Sequence, residues 1–359
     1  MAISIFFLSI NAYLNYYSSQ TYSEAFFLLL QSVFLLSFEK YITAENPSTI
    51  ARNLTLSIAI SAMGLVLFVT RNIAAIAILA VVAFHVSQLD WRRSALVSLG
   101  FTFCVILYGL IRSLIWQREG NQLQSQGSVI LQKHPYDASQ GQESVSGFIQ
   151  RLIDNSLQYF SDHLIRVFGL KGEGMSNSTL ITLLVYAFLV FAGFYYFKKN
   201  KLLFFIVIYT AIGCVLSFTA LHSFWNQERH LIIFLPFFAL LFFDLSYQFL
   251  FKDKSFLLRT LFVLLMVLVI GTTLYRTGQR VSKNLPVLAQ NLKGNLLYGL
   301  QPEWVNYIRL CQVAAEETPD GRKRLPCASR RSPSSTLARM CSMAFTPCLK
   351  AHPRSSTNS

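Results

Sequence analysis

Nine apolar runs, several near the length of a membrane crossing, constrain this chain more than any other feature. They cover residues 2–16, 25–38, 54–69, 73–86, 95–116, 180–197, 202–221, 230–250 and 256–275. A helix needs roughly 20 apolar residues to cross the hydrocarbon core, because each residue advances it about 1.5 Å. Only 13% of the 359 residues are charged, against about 25% in an ordinary soluble domain. The expected fold is an all-α polytopic membrane protein with about nine transmembrane helices. No basic n-region precedes the first run, so it does not read as a cleaved signal peptide.

Charge placement orients the runs. Lys40, Arg52, Asp90 to Arg93, Lys198 to Lys201 and Lys252 to Lys254 fall in alternate connections, while the remaining short connections hold only Arg71 and Arg229 as basic residues. The positive-inside rule makes the first set cytoplasmic. The N-terminus is then inside, and the segments around Glu24, Arg71, residues 117–177 and Arg229 lie on the outer face. The formal charge of +14 is no nucleic-acid signal. Eight basic residues and no acidic ones lie in the tail from Arg322, and no basic stripe with interleaved aromatics occurs in a soluble segment. Gly-rich phosphate loops and nucleophile elbows are missing from any soluble setting. The six cysteines show no paired CxxC spacing, so neither a zinc site nor a disulfide framework is expected.

Five regions follow. Residues 1–116 form a five-span membrane part and 117–177 an outer loop. A four-span part covers 178–275, residues 276–321 begin an outer C-terminal domain, and 322–359 form a basic tail. In the loop, residues 117–143 are rich in Gln, Ser and Gly. Phe148, Leu152, Leu157, Phe160, Leu164 and Phe168 then recur at steps of three to five. They describe an amphipathic helix with Arg151, Asp154, Asp162 and Arg166 on its polar side. It lies at the membrane interface or packs on a soluble loop domain; the pattern alone leaves both open. The tail, with Ser, Arg, Pro and Cys but no apolar period, reads as a frameshifted end or as a basic disordered segment.

The candidate functional residues sit at the outer ends of the runs. His222 to His230 ends in Glu228, Arg229 and His230, immediately before an apolar run containing Pro236. Ionisable groups at the lip of a span are costly and tend to be functional. Arg71 follows another span, and Glu24 opens one. Either arginine could instead be a helix-end side chain reaching for the interface, and Glu24 could simply favour a helix N-terminus. The spacing of His222, Glu228 and His230 matches no established metal pattern.

Several of these fragments resemble membrane-embedded type C glycosyltransferases. The nearest branch holds the polyprenyl-phosphate-mannose protein mannosyltransferases and the lipid A aminoarabinose transferase. The residues carrying the resemblance are Tyr22-Ser-Glu24, Gly64 to Arg71, Glu228-Arg229-His230 before Pro236, and Trp304 to Tyr307 with Thr318-Pro319. Asn72 and Ile73 replace the family's proline after the arginine. The resemblance implies transfer of a sugar from a polyprenyl-phosphate donor to a protein, lipid or glycan acceptor at the outer leaflet. It implies substrate binding by Glu24, Arg71, Glu228, Arg229 and His230, and an integral protein of a bacterial inner membrane with its active side periplasmic. The expected partners are the lipid-linked donor and membrane lipid, with no nucleic acid. A divalent metal ion is one candidate cofactor, with no ligands assigned. The family's catalytic acid lies in its first outer loop, upstream of the Ser-Glu pair, and residues 11–23 contain no acid. The chain is therefore expected to start near the family's third or fourth span and to be inactive alone. Two alternatives remain: a transporter or flippase for lipid-linked substrates, which favours polar residues at mid-membrane, and an outer-leaflet polymerase or ligase of glycans.

Overall fold

A computed structural model describes residues 2–19, 24–43, 50–115, 129–135, 137–171 and 176–316. The tail from Arg322, most of the Gln-rich connection, and Tyr22, Ser23, Thr318 and Pro319 of the motifs above lie outside the described residues. The described residues are all-helical with no strands. In chain order the helices are α1 (Ala2–Ile10), α2 (Ala12–Ser19), α3 (Glu24–Thr43), α4 (Ile50–Thr70), α5 (Ala75–Ser87), α6 (Trp91–Ile115) and α7 (Val145–Gln158). There follow α8 (Thr179–Tyr196), α9 (Lys201–Ala220), α10 (Arg229–Ile232), α11 (Leu235–Ser246), α12 (Phe256–Leu292) and α13 (Pro302–Glu316).

Five of these helices, α3, α6, α8, α9 and α12, are long and apolar enough to cross a membrane. Their outward faces agree with that environment. On α6, Leu99, Phe103, Leu110 and Leu114 form an exposed stripe while Ser94, Val97 and Cys104 turn inward. Water does not tolerate a contiguous apolar surface of that size on a monomer, and lipid does. The chain is an integral membrane protein in architecture.

Two of the nine runs differ from the expected single helices. The first breaks at Asn11 into α1 and α2, of nine and eight residues, each too short to cross a bilayer alone. The break follows from side-chain chemistry: Asn11 Oδ1 accepts from the backbone N–H of Tyr13 at 3.1 Å and Leu14 at 3.0 Å, capping α2. The run 230–250 divides into α10 and α11, because Pro236 sits in the first turn of α11, where a missing N–H costs nothing. Elsewhere, polar caps mark helix starts: Ser144 accepts from Gly147 N at 3.0 Å to open α7, and Asn200 accepts from Leu203 N at 3.0 Å to open α9.

The described residues divide into two compact units after Arg280, inside α12. In the first unit, α4 packs on α6, α5 lies against α6 and α9, and α1 packs on α11. Phenylalanine dominates the core. Phe38, Phe84 and Phe205 meet at ring distances of 3.9–5.9 Å, and Phe7 bridges Phe168 and Phe243. Helices α3 and α4 run antiparallel, as two polar pairings show. Arg71 meets Glu24 at one end, while Tyr41 meets Ser57, and lies beside His85 and Arg93, at the other.

Candidate functional site

The expected amphipathic helix exists, but most of its polar side is buried in protein. α7 continues through a π-helical turn, Tyr159–Leu164, and a final α turn, Ile165–Val167. It packs on α9. Asn155 Nδ2 donates to the carbonyls of Phe218 at 2.7 Å and Leu221 at 2.8 Å, two of the acceptors left open at the end of α9. Arg151 is buried and donates to the carbonyls of Ile130 and Gln132 while pairing with Glu143 at 2.6 Å. Only Val145, Ile149 and Ile153 leave an apolar stripe outward. The helix ends at Gly169, whose φ of +79° and close approach to the Thr272–Thr273 backbone exclude a β-carbon.

The π turn holds the polar centre of the site. Such turns widen the helix by one residue and recur at functional positions. Here all six residues are buried, so Asp162 and His163 both enter the protein from consecutive positions. Asp162 pairs with Arg166 and, at 3.1 Å, with Lys171 Nζ. Lys171 Nζ also donates to the carbonyls of Ser161 and Ser176. Burial raises the Asp162 carboxyl, but the hydrogen bonds and charges of Arg166 and Lys171 outweigh it and hold the group below its ordinary range. Arg166 Nη1 reaches Glu228 Oε1 at 3.0 Å, and Tyr17 OH donates to Glu228 Oε2 at 3.3 Å. Glu228 thus ties α2 and the α turn that follows the π turn to the start of α10.

His163 donates from Nε2 to Asn226 Oδ1, which makes Nδ1 the lone-pair nitrogen of the neutral ring. Burial lowers its pKa; Glu228, Asn226 and Asp162 oppose that shift and Arg166 reinforces it. Tyr159 stacks against Phe218, donates to the Trp225 carbonyl at 2.7 Å, and is pushed up to about 12 chiefly by burial.

All five sequence candidates gather at this end of the bundle. Glu24, 3% exposed, forms a 2.9 Å ion pair with Arg71. His230 packs edge-on against Tyr159 at 6.3 Å, and its ring feels the charges of Arg229, Arg71 and His163. Arg229 and Glu228 both act electrostatically on Tyr159. Two ion pairs, Glu24–Arg71 and Glu228–Arg166, are thus linked electrostatically through His230 and Arg229. Arg280 adds a guanidinium 3.9 Å over the Tyr13 ring, and both Glu228 and Arg166 act on Tyr13.

Each carboxylate of the patch already meets a guanidinium or ammonium, and no group of three His, Cys, Asp or Glu side chains among the described residues could hold a metal ion. His222 stands apart from the patch, donating from Nε2 to the Val129 carbonyl at 3.1 Å. Sequence reasoning placed Asp162 and Arg166 on a polar outer face and passed over His163, Lys171 and Tyr17. The one available signal was the density of ionisable residues between Asp162 and Lys171. Comparisons with protein-family models, curated proteins and solved structures found no match for the chain.

Proposed function

We propose that this protein binds the phosphate of a polyprenyl-phosphate sugar donor at the patch built on Arg71 and Arg229, as part of glycosyl transfer at the non-cytoplasmic leaflet. The observation that carries the reading is that Arg71 and Arg229 both act electrostatically on His230, from elements separated by more than 150 residues. Guanidinium groups clamp phosphate oxygens through parallel hydrogen bonds. A lipid with an anionic headgroup and an apolar tail suits a cationic patch at the end of long apolar helices. In this reading the nine apolar segments place Lys40, Arg92, Arg93 and Lys198 on the cytoplasmic side. Glu24 orients Arg71, Glu228 orients Arg166, and both carboxylates set a boundary against further anions.

The test uses the full chain in zwitterionic lipid nanodiscs with a polyprenyl phosphate as probe. Arg71→Ala and Arg229→Ala should each weaken binding by about 10- to 100-fold, the equivalent of one charge-assisted contact. Retention of wild-type affinity by both variants would reject the reading.

A transporter of lipid-linked substrate is the second reading. In its favour, Gln31 and Tyr209 form a buried polar pair at 2.7 Å between α3 and α9. Flux of a labelled lipid phosphate in liposomes, abolished by Gln31→Leu, would favour it over the transferase.

A further inference from the structure

His163 and Arg166 are not used by the two-arginine clamp, and their geometry gives them a further role in it. The His163 ring is 2% exposed, and its Nδ1 has no hydrogen-bond partner among the described residues. That nitrogen lies 3.8 Å from Glu228 Oε1 and 4.0 Å from Asp162 Oδ2. Arg166 holds the same two oxygens, one with each Nη, and its buried Nε–H has no partner among the described residues. A guanidinium that meets one oxyanion squarely does so through two adjacent N–H groups. Arg166 is instead stretched between two carboxylates.

Charge accounts for what would follow if a phosphate drew Arg166 away. Among the described ion pairs, Asp162 would keep Lys171, 3.1 Å from its Oδ1, and a buried carboxylate that loses a counter-charge is strongly unfavourable. His163 Nδ1, 3.8 Å from Glu228 Oε1 and 4.0 Å from Asp162 Oδ2, is placed to supply the lost charge. The groups facing its ring are Tyr159, Asp162 and Arg166 from its own helix, and Asn226, Glu228 and His230 from the chain entering α10. Of the charges among them, Glu228 and Asp162 favour a proton on the ring and Arg166 opposes it. Departure of Arg166 therefore shifts that balance one way only.

We propose that Arg166 is a further phosphate-binding residue of this site, released from Glu228 and Asp162 as His163 takes up one proton at Nδ1, so that lipid-phosphate binding and proton uptake are linked. The proposal rests on the anion-binding reading above. The proton comes from solvent and forms one N–H bond, and no bond of the ligand breaks.

Two measurements on the full chain in nanodiscs test it. Without ligand, the His163 ring is titrated by NMR, its signal assigned by loss in His163→Gln. Arg166→Gln should raise its titration midpoint by about one pH unit or more, the effect of removing a neighbouring like charge. An unchanged midpoint overturns the linkage. With farnesyl phosphate as probe, calorimetry in buffers of different ionisation heat counts protons at mildly alkaline pH. Wild type should take up about one more proton per ligand than His163→Gln, and its affinity should rise about tenfold more per unit fall in pH. Arg166→Gln should bind at least about tenfold more weakly. Equal proton uptake by wild type and His163→Gln, or full affinity in Arg166→Gln, overturns this proposal and leaves the two-arginine clamp standing. No binding of farnesyl phosphate to wild type overturns both.

Discussion

Nη1 of Arg71 lies 2.9 Å from Oε1 of Glu24, joining the residue after α4 to the first residue of α3. The carboxylate is 3% exposed and the guanidinium 19%, so the acid depends on its partner far more than the arginine does. Arg71→Ala should destabilise the protein by about 3–5 kcal/mol, the usual consequence of stranding a buried charge. Adding Glu24→Gln should recover much of that loss. Unfolding in mixed micelles measures both, and an Arg71→Ala variant as stable as wild type would contradict the burial of Glu24.

Gly213 lets α9 approach α11. A β-carbon there would stand 2.4 Å from Cε1 and 2.8 Å from Cζ of Phe234, itself fully buried. Gly213→Ala should cost about 1–3 kcal/mol through forced ring movement. Pairing it with Phe234→Leu should relieve the clash, which a melting comparison of the single and double variants would reveal.

Asn11 serves two helices. Its Nδ2 donates to the Val167 carbonyl at 2.9 Å while Oδ1 caps α2. Asn11→Ala should cost about 1–2 kcal/mol, the value of a cap together with a buried hydrogen bond. Faster amide exchange at Tyr13 and Leu14 is the local signature, and unchanged exchange there would argue against the cap.

Acid should destabilise the fold before its carboxylates titrate. Burial lowers the pKa of His163, and also of His222, from 6.5. Above 6.5 both the folded and the unfolded rings are neutral and contribute nothing to the slope. As pH falls below 6.5 the unfolded rings bind protons that the folded ones resist, so stability drops until the folded rings protonate too. Melting temperatures between about pH 5 and pH 8 should show that decline, shallower in His163→Gln. A variant with the wild-type slope would remove His163 from the account.

Helical content was legible in the sequence because apolar runs of this length leave few alternatives, and Glu24, Arg71 and Arg229 stood out as charges at the ends of such runs. The partners of those charges were not legible. Arg166 and Asp162 lie four apart on an amphipathic pattern, which reads equally well as a solvated face. Only the packing of α7 on α9 shows that the face is buried. The break at Asn11 was hidden for a related reason. An asparagine inside an apolar run can point into the bundle or cap a new helix, and the choice depends on the Val167 carbonyl, more than 150 residues away. Pro236 stood inside one apolar run, and its place in the first turn of α11 makes it a helix start.

The widened turn at Tyr159–Leu164 acts as a spacer of fixed length. Rewinding it as ordinary helix with all its residues kept would swing everything on one side by about 100° relative to the other. Asn155 could then no longer face the end of α9 while Arg166 faced Glu228. The relative facing of Asn155 and Arg166 therefore depends on that turn staying wide.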